Sequence, residues 1–201
     1  MNKKLITTIM ITLFLASIAM IAVPNVHASP TEWHVYPGDS IQAVIDVASP
    51  YDTIIVHAGT YAEHIIINKD GLTLLGEQQD VDPRPAVGGR SGPESIIDTE
   101  TNHVPVYIDA DNVVLNGFTI RLDEYAPGSG DQDLVYQDKS HSGTVVKYNI
   151  ITSRLIDGNP TPDSDDAIQL KKCTNGVIEY NYAHHVLGNG FNFASSTNCV
   201  I

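Results

Sequence analysis

The chain has 201 residues, with 24 acidic side chains against 11 basic ones and a formal charge of −13 at neutral pH. That balance excludes a nucleic-acid binder, which needs a basic patch, and suits a soluble extracellular protein able to gather cations. Two cysteines are too few for a disulfide framework.

Residues 1–28 have the layout of a signal peptide. Lys3 and Lys4 form a short positive region, Leu5–Val23 is apolar apart from Thr and Ser, and Val26-His27-Ala28 offers a small-residue cleavage site. An uncleaved anchor is the alternative, because the apolar run is long for a signal core. Loss of Lys3 and Lys4 takes the formal charge from −13 to −15. Residues 29–201 then form one domain, with no later segment apolar enough to span a bilayer.

Trp33–Gly38 reads as a strand and turn. Ser40–Ala48 has apolar residues at 41, 44, 45 and 48, one face of a short helix with Asp39 or Ser40 as N-cap. A helix here would cover the open end of a stack of coils. Thr53–Val56 and Ala58–Tyr61 follow as short apolar runs.

The next stretch organises the rest. Ile65–Gly76, IIINKDGLTLLG, returns as Val106–Gly117, VYIDADNVVLNG. Val145–Asn149 and Val177–Asn181 repeat its ending, and Ile168, Leu170, Asn175, Val177 and Ile178 recur as Phe191, Phe193, Asn198, Val200 and Ile201. Units of roughly 23 residues cannot bury a hydrophobic face alone and must stack on copies of themselves. Each holds apolar runs of a few residues without helical spacing. The expected fold is an all-β, right-handed parallel β-helix of roughly six to seven coils with a short N-terminal capping helix. Gly117, Asn149 and Asn181 are expected to share one column, as left-handed bends after successive strands. The chain stops at Ile201 inside a repeated strand, so further coils are expected beyond it.

Three stretches interrupt the coils: 78–94, 123–143 and 157–165. They are rich in Gly, Pro, Asp and Ser, and loops leaving one side of a solenoid build its binding surface. Within the first, GGRSGPE superficially suggests a phosphate loop. It neither directly follows a strand nor opens a helix, so it reads as an ordinary turn. Cys173 and Cys199 fall on neighbouring coils at non-matching positions, which leaves a bridge and two buried thiols both open.

Pro37–Glu77, PGDSIQAVIDVASPYDTIIVHAGTYAEHIIINKDGLTLLGE, resembles the opening of right-handed parallel β-helix proteins of the pectin-lyase-like superfamily. In those a capping helix precedes a strand, a G-T-Y turn and the first full coil. The resemblance implies the fold and little chemistry.

The densest polar constellation is Asp157–Phe193. Stacked coils sit roughly 4.8 Å apart, which places Asp166 beside Asn189 and Gln169 beside Asn192 as the floor of a sugar-binding groove. Three chemistries fit. A hydrolase would use Asp165 and Asp166 as acid and base. SDDAIQLKKCTNGVIEYN…GNGFNF resembles the polygalacturonase-type pattern, with Asp165 and Asp166 at its acidic pair. Asn189 stands where that family has a histidine, and its upstream acidic motif has no counterpart. A lyase would hold Ca²⁺ through Asp163, Asp165 and Asp166, with Lys171 or Arg154 as base. Alternatively, one residue of His184-His185 acts as general base or metal ligand, neighbours on a strand facing opposite ways. The bland reading is a solvated acidic turn, since Asp and Asn in DGNPTPDSD are ordinary turn formers. Metal delivery lacks support, because the clustered soft ligands are His184-His185 and two separated cysteines.

Gly143–Phe193 is similar to the disaggregatase-related segment of archaeal cell-surface β-helix proteins, which would extend over 143–201. That resemblance implies secretion or surface attachment and action on a uronate polysaccharide. The expected protein is a secreted or surface-held monomer that recognises and cleaves an acidic polysaccharide. Its catalytic candidates are Asp165, Asp166, Lys171 and His184, and its substrate-binding candidates Gln169, Asn189, Asn192 and Arg154. Ca²⁺ is the one cofactor considered. The alternative is a non-catalytic envelope or adhesion module that offers a carbohydrate-binding platform.

Overall fold

A computed structural model describes residues 29–99, 104–122, 133–153, 166–186 and 188–201. Their strands form three long parallel sheets that run the length of the molecule. The first contains Glu32–Val35, Thr53–Val56, Thr73–Gly76, Val114–Asn116, Val145–Lys147 and Val177–Glu179. The second runs through Gly59–Tyr61, Ser95–Thr99, Phe118–Leu122, Ile150–Ser153 and Tyr182–His184. The third takes Ile65–Ile67, Val106–Ile108, Val135–Gln137, Ile168–Lys171 and Phe191–Ala194. After the opening strand, which is followed by the helix instead, each coil gives one strand to each of these sheets, which is the parallel β-helix expected from the repeats.

The repeats set the register. Ile65 pairs with Val106 and Ile67 with Ile108, Ile168 with Phe191 and Leu170 with Phe193. Inward positions therefore stack like on like: Ile54, Leu74, Leu115, Val146 and Ile178 form one continuous buried column. Burying such an aliphatic side chain is worth about 1.5–3 kcal/mol, and neighbouring coils supply the partner surface that no single coil has. The stack of Ile67, Ile108 and Leu170 contains one polar member, Gln137. It is buried; its Oε1 accepts from Thr144 Oγ1 at 2.8 Å and its Nε2 donates to Lys171 O.

The expected column of bends is shifted by one residue. The left-handed positions are Gly117, Tyr148 and Tyr180, with φ of 87°, 53° and 54°. The two asparagines follow the bend and point inward as a ladder. Asn149 is 0% exposed; its Oδ1 accepts from Phe118 N and its Nδ2 donates to Leu115 O, Lys147 O and Asn181 Oδ1. Asn181 Oδ1 accepts from Asn149 N in turn. The inward amide satisfies backbone groups that the bend takes out of the sheet ladder. Tyr148 and Tyr180 tolerate an unfavourable backbone conformation and stack face to face at 4.9 Å.

The capping helix forms as α1, Ile41–Val47, and lays Ile41, Ile45 and the following Ala48 on the first coil. Ser40 is its N-cap and accepts from Ala43 N, while Glu63 accepts from the free Ile41 and Gln42 amides. The excursion at 78–94 does not leave the stack but lies along its corner. The Arg90 side chain is 0% exposed, paired with Glu94 at 2.7 Å, and donates to Phe118 O and Tyr148 O on later coils. Lys147 reaches Asp80 at 2.9 Å, and the Arg84 guanidinium sits 5.1 Å from the Tyr180 ring centre. The cation of GGRSGPE is thus consumed inside the fold, as the ordinary-turn reading requires. The expected interruption 123–143 is shorter than expected, because Val135–Gln137 lies in the third sheet and His141–Ser142 pairs with Cys173–Thr174, while 78–94 connects the first sheet to the second. All of 157–165, and 123–132 of the expected 123–143, lie outside the described residues.

Candidate functional site

The turn that enters the third sheet carries a repeated polar position, two residues before each of its last three strands. On successive coils Asp133, Asp166 and Asn189 occupy it. They line an open cleft of about 240 Å³ together with Tyr136, Gln169, Lys171 and Asn192. Five residues singled out in the sequence therefore meet in one place: Asp166, Gln169, Lys171, Asn189 and Asn192. Asp166 lies beside Asn189 and Gln169 beside Asn192, as coil stacking requires.

Asp166 lies at the centre of the cleft. It is 3% exposed and accepts four hydrogen bonds. Oδ1 takes Asn189 N at 2.6 Å and Asn189 Nδ2 at 2.9 Å; Oδ2 takes Gln169 Nε2 at 2.7 Å and Asn192 Nδ2 at 2.9 Å. Burial pushes its carboxyl up, but the bonds from Asn192, the Asn189 amide, Gln169 and the Asn189 side chain outweigh that and hold it below the usual range. Two donors on each oxygen fill the lone-pair positions of a carboxylate. A proton to be transferred, or a Ca²⁺ ion, would have to displace those donors. The carboxylate thus holds three amide side chains, those of Gln169, Asn189 and Asn192, beside the cleft. The Gln169 Oε1 atom is buried and has no partner of its own.

Lys171 supplies positive charge. Its Nζ donates to Tyr136 Oη at 3.1 Å and sits 4.9 Å from that ring's centre. The Tyr136 hydrogen bond raises the ammonium's pKa against a smaller opposing effect of burial, and Asp133 and Asp138 add to the rise. Lys171 is thus a standing cation at neutral pH, which counts against the base expected of it. Along the same outer face, Tyr136 follows Tyr107 in register, their ring centres 6.0 Å apart. Tyr107 donates to Asp138 at 2.6 Å, and burial first, then Asp138, push its hydroxyl far up.

His184 stands elsewhere. It lies in the second sheet, with Nδ1 3.3 Å from Thr152 Oγ1 and 2.6 Å from His185 Nδ1. The two rings meet edge to face, because His185 has a left-handed backbone (φ 57°) and does not face opposite to its neighbour. Burial, then His185, lower the His184 pKa. Arg154, Asp163 and Asp165 lie outside the described residues.

Three cleft residues escaped the sequence reading, Val104, Asp133 and Tyr136. Asp133 Oδ1 accepts from Asp166 N at 3.0 Å, the same contact that Asp166 makes with Asn189. The signal was present: Asp133-Leu134-Val135 repeats as Asp166-Ala167-Ile168. Cys173 and Cys199 are both free thiols, and burial pushes Cys173 up. Among the described residues no helix is long and apolar enough to cross a membrane.

No family model matches the chain, and no curated protein does. Among solved structures it is similar to a pectin methylesterase mutant in complex with a hexasaccharide, at 16% identity and a TM-score of 0.43. That match covers 69% of this chain and 45% of the other, so the chain spans less than half of its length.

Proposed function

We propose that this β-helix recognises an acidic extracellular polysaccharide in the cleft on its third sheet. The carrying observation is the Asp166 carboxylate, which fixes Gln169, Asn189 and Asn192 in one orientation beside a standing Lys171 cation. Amides held this way keep spare donors and acceptors for sugar hydroxyls, and the ammonium pairs with a uronate carboxylate. Secretion or surface attachment is part of the reading, supported by the leader pattern of residues 1–28 and the acidic composition. The resemblance of Gly143–Phe193 to disaggregatase-related segments points to a uronate polymer as the ligand.

Cleavage is the second reading, favoured by Asp133, a second carboxylate in the same cleft. Hydrolysis needs two such groups in separate roles, one as acid and one as base. The test is affinity electrophoresis of the full chain through gels holding uronate or neutral polymers, with and without Ca²⁺. Parallel digests are read for unsaturated ends in the ultraviolet and for reducing ends. Retardation by uronate polymers alone supports recognition, and new ends add cleavage. Equal migration through every gel with no new ends defeats both readings.

A further inference from the structure

We propose that His34 and His57 form a site for one divalent cation of the imidazole-binding kind, Cu²⁺ or Zn²⁺, on the outer face of the first sheet. The site is remote from the cleft, which lies on the third sheet, and does not depend on the polysaccharide reading. Strand Glu32–Val35 pairs with Thr53–Val56, so the outward residues that end one coil lie against those that end the next. Tyr36 stacks on the His57 ring at 4.4 Å, and His34 sits diagonally across from it.

Four groups line up in a chain. Glu32 Oε1 lies 3.1 Å from His34 Nε2, His34 Nδ1 lies 3.1 Å from His57 Nε2, and Glu77 Oε2 lies 3.5 Å from His57 Nδ1. Each of the three gaps separates two atoms with lone pairs, so each needs a hydrogen. Two neutral imidazoles bring two. With the outer nitrogens protonated toward Glu32 and Glu77, the inner nitrogens turn bare lone pairs on each other. A cation between them removes that repulsion. Two nitrogens bound at 2.0–2.1 Å to one metal ion lie roughly 2.8–3.4 Å apart between square and tetrahedral angles, a range that the observed separation already meets. A carboxylate behind each imidazole is the arrangement that fixes the ligating tautomer and raises its basicity. Imidazole favours Zn²⁺ and Cu²⁺ over Ca²⁺ or Mg²⁺.

The two side chains are 40% and 31% exposed, so a small swing of either ring turns both lone pairs onto one ion. Among the described residues no three or more His, Cys, Asp or Glu side chains are placed to hold a metal together. Water completes the coordination, the site exchanges its ion freely, and the ion ties the opening strand to the coil beneath it.

The test titrates the full chain with Cu²⁺ alone, followed by electron paramagnetic resonance, and with Zn²⁺ alone by calorimetry. The expected result is one saturable equivalent with hyperfine coupling from two nitrogens. His34→Ala and His57→Ala should each weaken it at least tenfold with an unchanged circular dichroism spectrum. Glu32→Gln should weaken it by about tenfold. A His184→Ala/His185→Ala double variant should leave it unchanged. No saturable uptake into the millimolar range, or uptake that survives in a His34→Ala/His57→Ala double variant, overturns the proposal. So does uptake that disappears with His184 and His185 instead.

Discussion

Replacing Asp166 by Asn tests the organisation of the cleft most sharply, because the change is nearly isosteric and removes only charge and one acceptor. In the native protein four donors converge on the carboxylate. In the variant two of them face an amide NH₂ and lose their acceptor, while the other two keep a neutral one. Hydrogen bonds to a charged acceptor contribute about 1.5–3 kcal/mol each and neutral ones about 1, and such losses are not additive. An overall destabilisation of about 3 kcal/mol at neutral pH follows, or about 6–12 °C in melting temperature for a chain of this length. The sign of the pH dependence is set by the lowered pKa of Asp166. Its stabilisation is fully present above the unfolded carboxyl value, near 4, and is lost as pH falls through the lower folded value. Urea melts of wild type and Asp166→Asn across pH 2–8 should therefore show a constant gap above about pH 5 that closes toward pH 2. A variant as stable as wild type at neutral pH, or a gap that widens in acid, refutes the role given to Asp166.

Three further outcomes are expected. Asn149→Ala empties a position with four side-chain hydrogen bonds and leaves Phe118 N unpaired, so it should cost about 2–4 kcal/mol in a denaturant melt. Arg90→Met breaks the buried pair with Glu94 and frees two carbonyls on other coils; about 3–5 kcal/mol should be lost, and limited proteolysis should open 78–94. Lys171→Gln should change stability by less than about 0.5 kcal/mol but weaken binding of uronate oligosaccharides at least tenfold in calorimetry. Because the Tyr136 bond raises the Lys171 pKa, wild-type affinity should stay flat from pH 6 to 9.

The coil architecture was legible because stacking imposes its own spacing. Ile65 with Val106 and Ile168 with Phe191 repeat in the sequence since each lies directly over the other in space. The same logic brought Asp166, Gln169, Asn189 and Asn192 into one cleft. It failed by one residue at the bends. Gly and Asn are the residues expected with positive φ, yet Tyr148 and Tyr180 take that conformation while the asparagines turn inward. Local preference yields there to the backbone groups that an inward amide satisfies. Asp166 was recognisable as a site residue but not as an anchor, because a carboxylate's role depends on its donors, which arrive from the next coil. His34 and His57 meet diagonally across a strand pair in which His34 itself lies opposite Ile55, so their contact does not follow the pairing that stacks like on like.

The most direct measurement of the central claim is nuclear magnetic resonance of the side-chain amides during titration with uronate oligosaccharides. The signals of Gln169, Asn189 and Asn192 should move together and saturate, shifting little with neutral oligosaccharides of equal length. If those three stay still while signals elsewhere on the surface move, the cleft is not the binding site and the proposed function is wrong.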